Sequence, residues 1–195
     1  MGASAFDEDY FERYYERRST RVYDAAQVAH LARGVIGMVR WLGGEVRNVR
    51  DVGAGAGFWR DYLAAHEPDV RYVSIDASPY ACQRYGHAQR DITRYRGPER
   101  FDLTVCQGVL PYLDDDGARR AIQNLGAMTR GFLYVEAITQ RDVRDVCDVD
   151  KTDVDVHLRS GEFYARALGE HFARVGCGLY YAKSGPLRFY ELESA

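Results

Sequence analysis

The sequence has few cysteines, almost no lysine and no long hydrophobic run. Its four cysteines lie far apart, form no CxxC pair and have no histidine at metal-ligand spacing, which argues against a zinc site or a disulfide framework. Lys151 and Lys183 are the only lysines, the arginines are scattered and the net charge is -3. No stretch reaches the roughly 18 consecutive apolar residues of a membrane span. We therefore expect reduced thiols, no nucleic-acid partner and no membrane partner.

What is present is typical of a globular protein. Hydrophobic residues make up 46% and charged residues 28% of a 195-residue chain, which is long enough for one domain with a substantial core. We expect a single domain over residues 1–195, with an N-terminal helical cap or lid at 1–44 and a core at 45–195. The first residues are acidic and aromatic, unlike a secretory signal, so a cytoplasmic location is expected.

Helical and strand patterns alternate along the chain after a helical start. An apolar stripe predicts a helix from about Asp24 to Leu42, and Ser78-Pro79 is typical of a capped helix start. Strands are predicted at 48–52, 70–75, 88–92, 101–106, 132–138, 174–181 and 187–192. The last two strands are joined by a predicted turn at 183–186, so one of them must be antiparallel to the rest. The pattern predicts an α/β fold with a doubly wound, seven-stranded, mostly parallel sheet.

A glycine-rich turn follows the first predicted strand, in the sequence Asp51-Val-Gly-Ala-Gly-Ala-Gly-Phe-Trp59. Such a turn suits close approach to a ligand, although a packing turn or a dinucleotide site would also use it. The dinucleotide fingerprint GxGxxG is broken by Phe58. Asp76 lies 25 residues after Asp51 at the end of the next strand, where a carboxylate can accept from ribose hydroxyls or cap the helix that begins at Ser78-Pro79.

Together these residues resemble the class I S-adenosylmethionine-dependent methyltransferases, whose first motif is an acidic residue followed by GxGxG. The resemblance covers residues 45–140 well and the flanks loosely. It implies a Rossmann-like fold, S-adenosyl-L-methionine as cofactor and S-adenosyl-L-homocysteine as product. The sequence lacks the Asn-Pro-Pro-Tyr type segment that follows the fourth strand in members methylating adenine or glutamine amides, so a small-molecule acceptor is favoured by elimination.

The resemblance also implies roles for individual residues in holding the cofactor. The methionine portion would lie over the glycine turn, the ribose beside Asp76 and Ala77, and the adenine beside Asp91 and Ile92, although Asp91 would also suit a solvated loop. Asp51 would orient the turn or reach the amino group. The residues assigned to the turn and to the fourth strand, near the sulfonium, are Gly53, Ala54, Gly55, Gly57, Gln107 and Gly108.

The N-terminal aromatic residues allow two interpretations. Tyr10, Tyr14 and Tyr15 share one face of a predicted short helix. This helix either forms a lid over the cofactor, with Tyr14 in contact with it, or simply covers the sheet.

Two residues are candidates for a general base, which is needed only for some acceptors. His157 is favoured by its ordinary pKa near neutrality, and Glu136 by its place at the end of the fifth strand; a surface histidine is the alternative for His157. The connection over 139–164 is the expected acceptor site because it is long and lies at the carboxyl edge of the sheet. Its aspartates fit no calcium-loop pattern, and we predict no metal.

Two other functions remain open from the sequence. A regulatory module would bind S-adenosylmethionine without transferring its methyl group. A nicotinamide-dependent oxidoreductase is the other, and the broken fingerprint at Phe58 counts against it. The sequence does not indicate an oligomeric state.

Overall fold

A computed structural model describes residues 6–191 and 193. Within them, seven strands form one sheet in the order β3-β2-β1-β4-β5-β7-β6. β7 pairs antiparallel with both β5 and β6, whereas the other pairings are parallel. The strands are β1 (Asn48–Val52), β2 (Arg71–Asp76), β3 (Ala88–Gln89), β4 (Phe101–Gln107), β5 (Thr129–Glu136), β6 (Phe172–Gly176) and β7 (Leu179–Ala182). The predicted α/β fold with one antiparallel strand near the C-terminus is confirmed.

Seven α-helices lie in the described part of the chain, and the first continues as a π-helical turn over Glu12–Glu16. None of these helices combines the length and the hydrophobicity that crossing a bilayer requires. The helices are α1 (Glu8–Phe11), α2 (Ala25–Trp41), α3 (Phe58–His66), α4 (Pro79–Tyr85), α5 (Asp115–Met128), α6 (Gln140–Asp145) and α7 (Gly161–Gly169).

Local sequence explains where the main helices begin. Asp24 and Gln27 form a capping box at α2, in which each side chain accepts from the backbone amide of the other residue. At α4 the Ser78 hydroxyl accepts from the amide of Ala81, and Pro79 takes the first helical position. These contacts satisfy amides that lack partners within the helix, so they fix the first turn of each helix at the predicted place.

Alternating strand residues build a core on each face of the sheet. Leu103 and Phe132 pack with α2 and α3 in one buried cluster, while Cys106 and Leu133 pack with α5 and α7 in another. Successive strand side chains point to opposite faces, and both faces are covered by helices. The carboxyl ends of β1, β2, β4 and β5 are thereby held side by side at one edge of the sheet.

The closing hairpin differs from the predicted one. Its turn lies at Cys177-Gly178, between β6 and β7, because Gly176, Cys177 and Gly178 all have positive φ. The predicted strand at 187–192 is wrong for the described residues, since 183–190 form no strand. Leu187 and Phe189 instead pack on the α2 side of the core, and Leu192 lies outside the described residues. The predicted third strand is shortened to two residues, Ala88–Gln89.

Candidate active site

The glycine-rich turn lies at the carboxyl end of β1. Gly53, Gly55 and Gly57 have φ of 69°, 55° and 79°, a left-handed conformation that glycine adopts without steric cost. A Cβ at Gly53 would also collide with the Val109 side chain. The Gly53 amide donates to the carbonyl oxygen of Ile75 over 2.8 Å, so the turn lies directly beside the end of β2.

Asp76 joins this turn to the start of α4. Its Oδ2 accepts from the Gly55 amide over 2.9 Å and its Oδ1 accepts from the Ser78 amide over 2.8 Å. The side chain that caps α4 is the hydroxyl of Ser78, and not the carboxylate of Asp76. A carboxylate offers about four acceptor positions, so two remain on Asp76 for hydroxyl donors in the adjoining cavity.

His87 supports the turn from behind, and sequence reasoning did not identify it. The histidine is buried; its Nε2 lies 2.9 Å from the carbonyl oxygen of Gly55, and its Nδ1 lies 2.8 Å from the Ser74 hydroxyl. Nothing in the sequence around His87 indicates this contact, because its partners lie on β2 and in the glycine turn.

Asp51 is buried beneath the turn, 2% exposed, and accepts from the Tyr72 hydroxyl over 2.7 Å. Burial raises the pKa of Asp51, the hydrogen bond from Tyr72 lowers it and the charge of Asp76 adds to the rise, so the pKa is about 7. The carboxyl group therefore titrates near neutral pH, and a cation beside it would favour its ionised form.

A large cavity of about 590 Å³ opens at the carboxyl edge of the sheet, a size typical of small-molecule sites. Asp91 is part of its wall and accepts from the Thr93 amide over 2.8 Å. The cavity brings together most of the predicted cofactor residues, namely Gly53, Gly55, Asp76, Ala77, Asp91, Ile92, Gln107 and Gly108. Gly57 lines neither this cavity nor the smaller one beside it, and caps α3 instead.

A smaller cavity of about 120 Å³ adjoins the larger one. It contains the remaining predicted residues of the turn, Asp51 and Ala54, together with Tyr14 and Glu136. The two cavities share seven lining residues, which are Tyr10, Tyr15, Gly53, Gly55, Gln107, Gly108 and Tyr112. The edge of the sheet thus carries two compartments with a common wall.

Glu136 is held by three side-chain donors. Its carboxylate accepts from the Tyr23 hydroxyl over 2.7 Å, and from Gln107 Nε2 and the Tyr134 hydroxyl over 3.3 Å each. Gln107 is itself oriented by the indole of Trp59, which donates to its Oε1 over 3.1 Å. Burial raises the pKa of Tyr23 well above its ordinary value and the Glu136 charge adds to it, so this hydroxyl stays a donor. Sequence reasoning missed Tyr23 and Trp59.

The N-terminal aromatic residues lie against the cavities. Tyr10 and Tyr15 line both of them, and the Tyr15 hydroxyl lies 3.3 Å from where a Cβ on Gly55 would stand. The Tyr10 hydroxyl is 2.7 Å from that of Tyr112, which donates to Asp153 over 3.1 Å. These contacts tie the N-terminal segment to the loops that follow β4 and α6.

The structure does not bring His157 and Glu136 into one compartment. His157 is exposed and lines the larger cavity, whereas Glu136 lines only the smaller one. The predicted acceptor connection does contribute Thr152, Asp153 and Val156 to the smaller cavity.

Arg159, in the predicted acceptor connection, is buried and has a structural role. Its guanidinium pairs with Asp115 over 2.7 Å and donates to the carbonyl oxygen of Leu110 over 3.2 Å. Arg159 therefore fixes the end of the connection against the loop after β4, and Ser160 beside it caps α7.

The aspartates of the same connection have other partners. Asp148 pairs with Lys151 over 3.2 Å, and Asp153 accepts from Tyr112. Across residues 6–191 and 193, no group of three or more histidine, cysteine, aspartate or glutamate side chains has the arrangement of a metal site.

No protein-family model matches this chain, and no curated protein matches its sequence. Several solved structures match its fold. The N-methyltransferase NodS from Bradyrhizobium japonicum WM9, in complex with S-adenosyl-L-homocysteine, is 23% identical with a TM-score of 0.57, covering 92% of this chain and 91% of its own. An S-adenosylmethionine-dependent methyltransferase from Clostridium acetobutylicum ATCC 824 is 13% identical with a TM-score of 0.64, covering 91% of this chain and 97% of its own.

Magnesium protoporphyrin IX methyltransferase ChlM from Synechocystis PCC 6803, with bound S-adenosylmethionine, is 16% identical with a TM-score of 0.59. It covers 93% of this chain and 97% of its own. At these identities the likeness concerns the fold. The chain has the class I S-adenosylmethionine-dependent methyltransferase fold over nearly its whole length.

Proposed function

We propose that the chain is an S-adenosylmethionine-dependent methyltransferase that acts on a small-molecule acceptor. The observation that carries this proposal is the pair of cavities with a common wall of glycines and tyrosines. Methyl transfer joins two molecules, so a site for the donor must open into a site for the acceptor.

The larger cavity fits the cofactor. NodS and ChlM, which share the fold, were crystallised with S-adenosyl-L-homocysteine and S-adenosylmethionine respectively. Asp76 keeps two free acceptor positions, which suit the two hydroxyls of a ribose. Gly108 has a φ of 69° and lines both cavities, and a Cβ there would have no neighbour within 4 Å, so the space beside it is free.

Other residues would hold the two ends of the cofactor. Asp91 and Ile92 line the larger cavity and would contact the adenine, while Ala77 would lie beside the ribose with Asp76. Asp51 and Ala54 line the smaller cavity beside the glycine turn and would hold the methionine portion, whose amino group is cationic. The role of Gly57 would be to shape the turn and begin α3.

For methyl transfer, the protein mainly has to align the acceptor with the S–methyl bond and exclude water. The sulfonium of the bound cofactor supplies an electrophilic methyl group. The chain would hold the acceptor against the common wall, and Tyr10, Tyr15 and Tyr112 would cover the reacting centre. Glu136 is the charged group that we place at the acceptor. The single-domain organisation and the cytoplasmic location stay predictions.

The test is the formation of S-adenosyl-L-homocysteine, followed by mass spectrometry. Purified protein is incubated with S-adenosylmethionine and fractions of a small-molecule extract, and Asp76→Ala is the matched control. Product formation by the wild type with at least one fraction, and its loss in the variant, would support the proposal. Tight binding of the cofactor without turnover on any fraction would favour the regulatory module instead.

A further inference from the structure

The lining of the smaller cavity has an unusual balance of charge. Besides Asp51, which we assign to the amino group of the cofactor, it includes two carboxylates, Glu136 and Asp153, and among the residues that the structure describes it includes no lysine, arginine or histidine. The larger cavity, in contrast, is lined by Arg90, Arg120 and His157. An anionic acceptor would be repelled here, whereas a cation would be attracted.

Aromatic rings form another large part of the wall of the smaller cavity. Tyr14, Tyr23, Tyr112, Phe58 and Trp59 all line the smaller cavity. The faces of such rings attract cations, and the attraction grows when water is excluded. The remaining lining is apolar and includes Val22, Val28, Ile138 and Val156. A compartment of this kind suits an amine on a hydrocarbon or aromatic body.

The hydrogen bonds of Glu136 and the need for a base both favour an amine acceptor over an alcohol. Three donors already hold its carboxylate, which leaves about one of its four acceptor positions for a ligand. An alcohol would have to lose its proton during transfer. Burial raises the pKa of Tyr23 and Tyr112, so neither hydroxyl is a proton acceptor near neutral pH, and Asp51 is assigned to the amino group of the cofactor. An amine needs no base in the transfer step.

We infer that the acceptor is an amine, and that Glu136 binds its nitrogen and stabilises the positive charge that develops there. This inference rests on the proposed function. An ammonium ion that enters first releases one proton to water. The nitrogen lone pair then forms the N–C bond while the S–C bond breaks and its electron pair stays on sulfur. The positive charge passes from sulfur to nitrogen, beside a fixed carboxylate.

The experiment uses matched small molecules that differ only in an amino or a hydroxyl group, such as 2-phenylethylamine with 2-phenylethanol and cyclohexylamine with cyclohexanol. Binding to protein saturated with S-adenosyl-L-homocysteine is followed by saturation-transfer NMR, which detects weak ligands. We expect the amines to bind more tightly than their alcohols. Glu136→Gln should weaken amine binding by about 10- to 150-fold and leave alcohol binding unchanged.

Two controls keep the inference separate from the proposed function. Asp148→Asn makes the same change in net charge on the exposed loop and should alter neither ligand class. Glu136→Gln should retain the wild-type affinity for S-adenosyl-L-homocysteine, which also shows that it folds. Failure of the wild type to bind S-adenosyl-L-homocysteine would overturn the proposed function. With that binding intact, equal binding of amines and alcohols, binding of neither, or undiminished amine binding by Glu136→Gln would overturn the inference.

Discussion

The amide of Gly55 donates to Oδ2 of Asp76 over 2.9 Å, and this bond joins the turn after β1 to the end of β2. It fixes the carboxylate at the wall of the larger cavity with two acceptor positions free. The same bond places the glycine turn against the site that we assign to the ribose, so turn and carboxylate act as one unit.

Asp76→Ala should therefore weaken cofactor binding. The change removes charge-assisted hydrogen bonds to ribose hydroxyls, and we expect a loss of about 10- to 150-fold in affinity for S-adenosyl-L-homocysteine. Equilibrium titration measures it. Asp69→Ala, an exposed aspartate outside both cavities, is the matched control. Equal affinity in the two variants would remove Asp76 from the site.

Asp51 should make the free energy of unfolding depend on pH. Its pKa is about 7 in the folded protein and near 3.8 when exposed, so the folded state binds more protons between these values. The free energy of unfolding should then fall as pH rises from 5 to 8, by up to about 2.6 kcal/mol. Asp51→Asn should flatten this dependence, which denaturant titrations at both pH values would measure. An equally steep fall in the variant would contradict the assignment.

The segment from Phe6 to Tyr23 should become more protected when the cofactor binds. Its tyrosines line both cavities, so a ligand beneath them adds contacts that the free protein lacks. Hydrogen exchange with and without S-adenosyl-L-homocysteine measures the change, with α2 as the internal reference. If the exchange of this segment is the same in both states, the tyrosines are ordinary packing and not a lid.

Replacing His157 by alanine distinguishes a general base from a residue that contacts the cofactor. If His157 were the general base, His157→Ala would lower the single-turnover rate by about 100- to 10,000-fold. Because it lines the cofactor cavity, we expect His157→Ala instead to weaken cofactor binding by about 2- to 12-fold. The rate at saturating cofactor should stay near that of the wild type. A large loss of rate with unchanged cofactor affinity would restore His157 as the base.

Local signals in the sequence predict the parts of the fold that depend on neighbouring residues. The glycine turn follows from residues 51–59, and the start of α4 follows from Ser78-Pro79, since positive φ and side-chain capping are local properties. The closing hairpin was misplaced because 176–178 and 183–186 both carry turn residues. Pairing of Leu179–Ala182 with β5 selects the first, and that pairing is a tertiary contact.

The candidate site depends on contacts that no local pattern reveals. Tyr23 and Glu136 are 113 residues apart, and Tyr10 and Tyr112 are 102 apart. Sequence reasoning found Glu136 because strand ends meet at one edge of the sheet. It could not place His157 in either compartment, because the path of the loop over 146–160 is fixed by Arg159, whose partners lie in the loop after β4 and at the start of α5.

Calorimetric titration of the wild-type protein tests the central claim most directly. The turn, Asp76 and the larger cavity predict that S-adenosylmethionine and S-adenosyl-L-homocysteine bind with dissociation constants on the order of micromolar, one ligand per chain. Nicotinamide adenine dinucleotide should give no heat of binding, because Phe58 breaks the dinucleotide fingerprint. Binding of the dinucleotide, or absence of binding by both S-adenosyl compounds, would contradict the account.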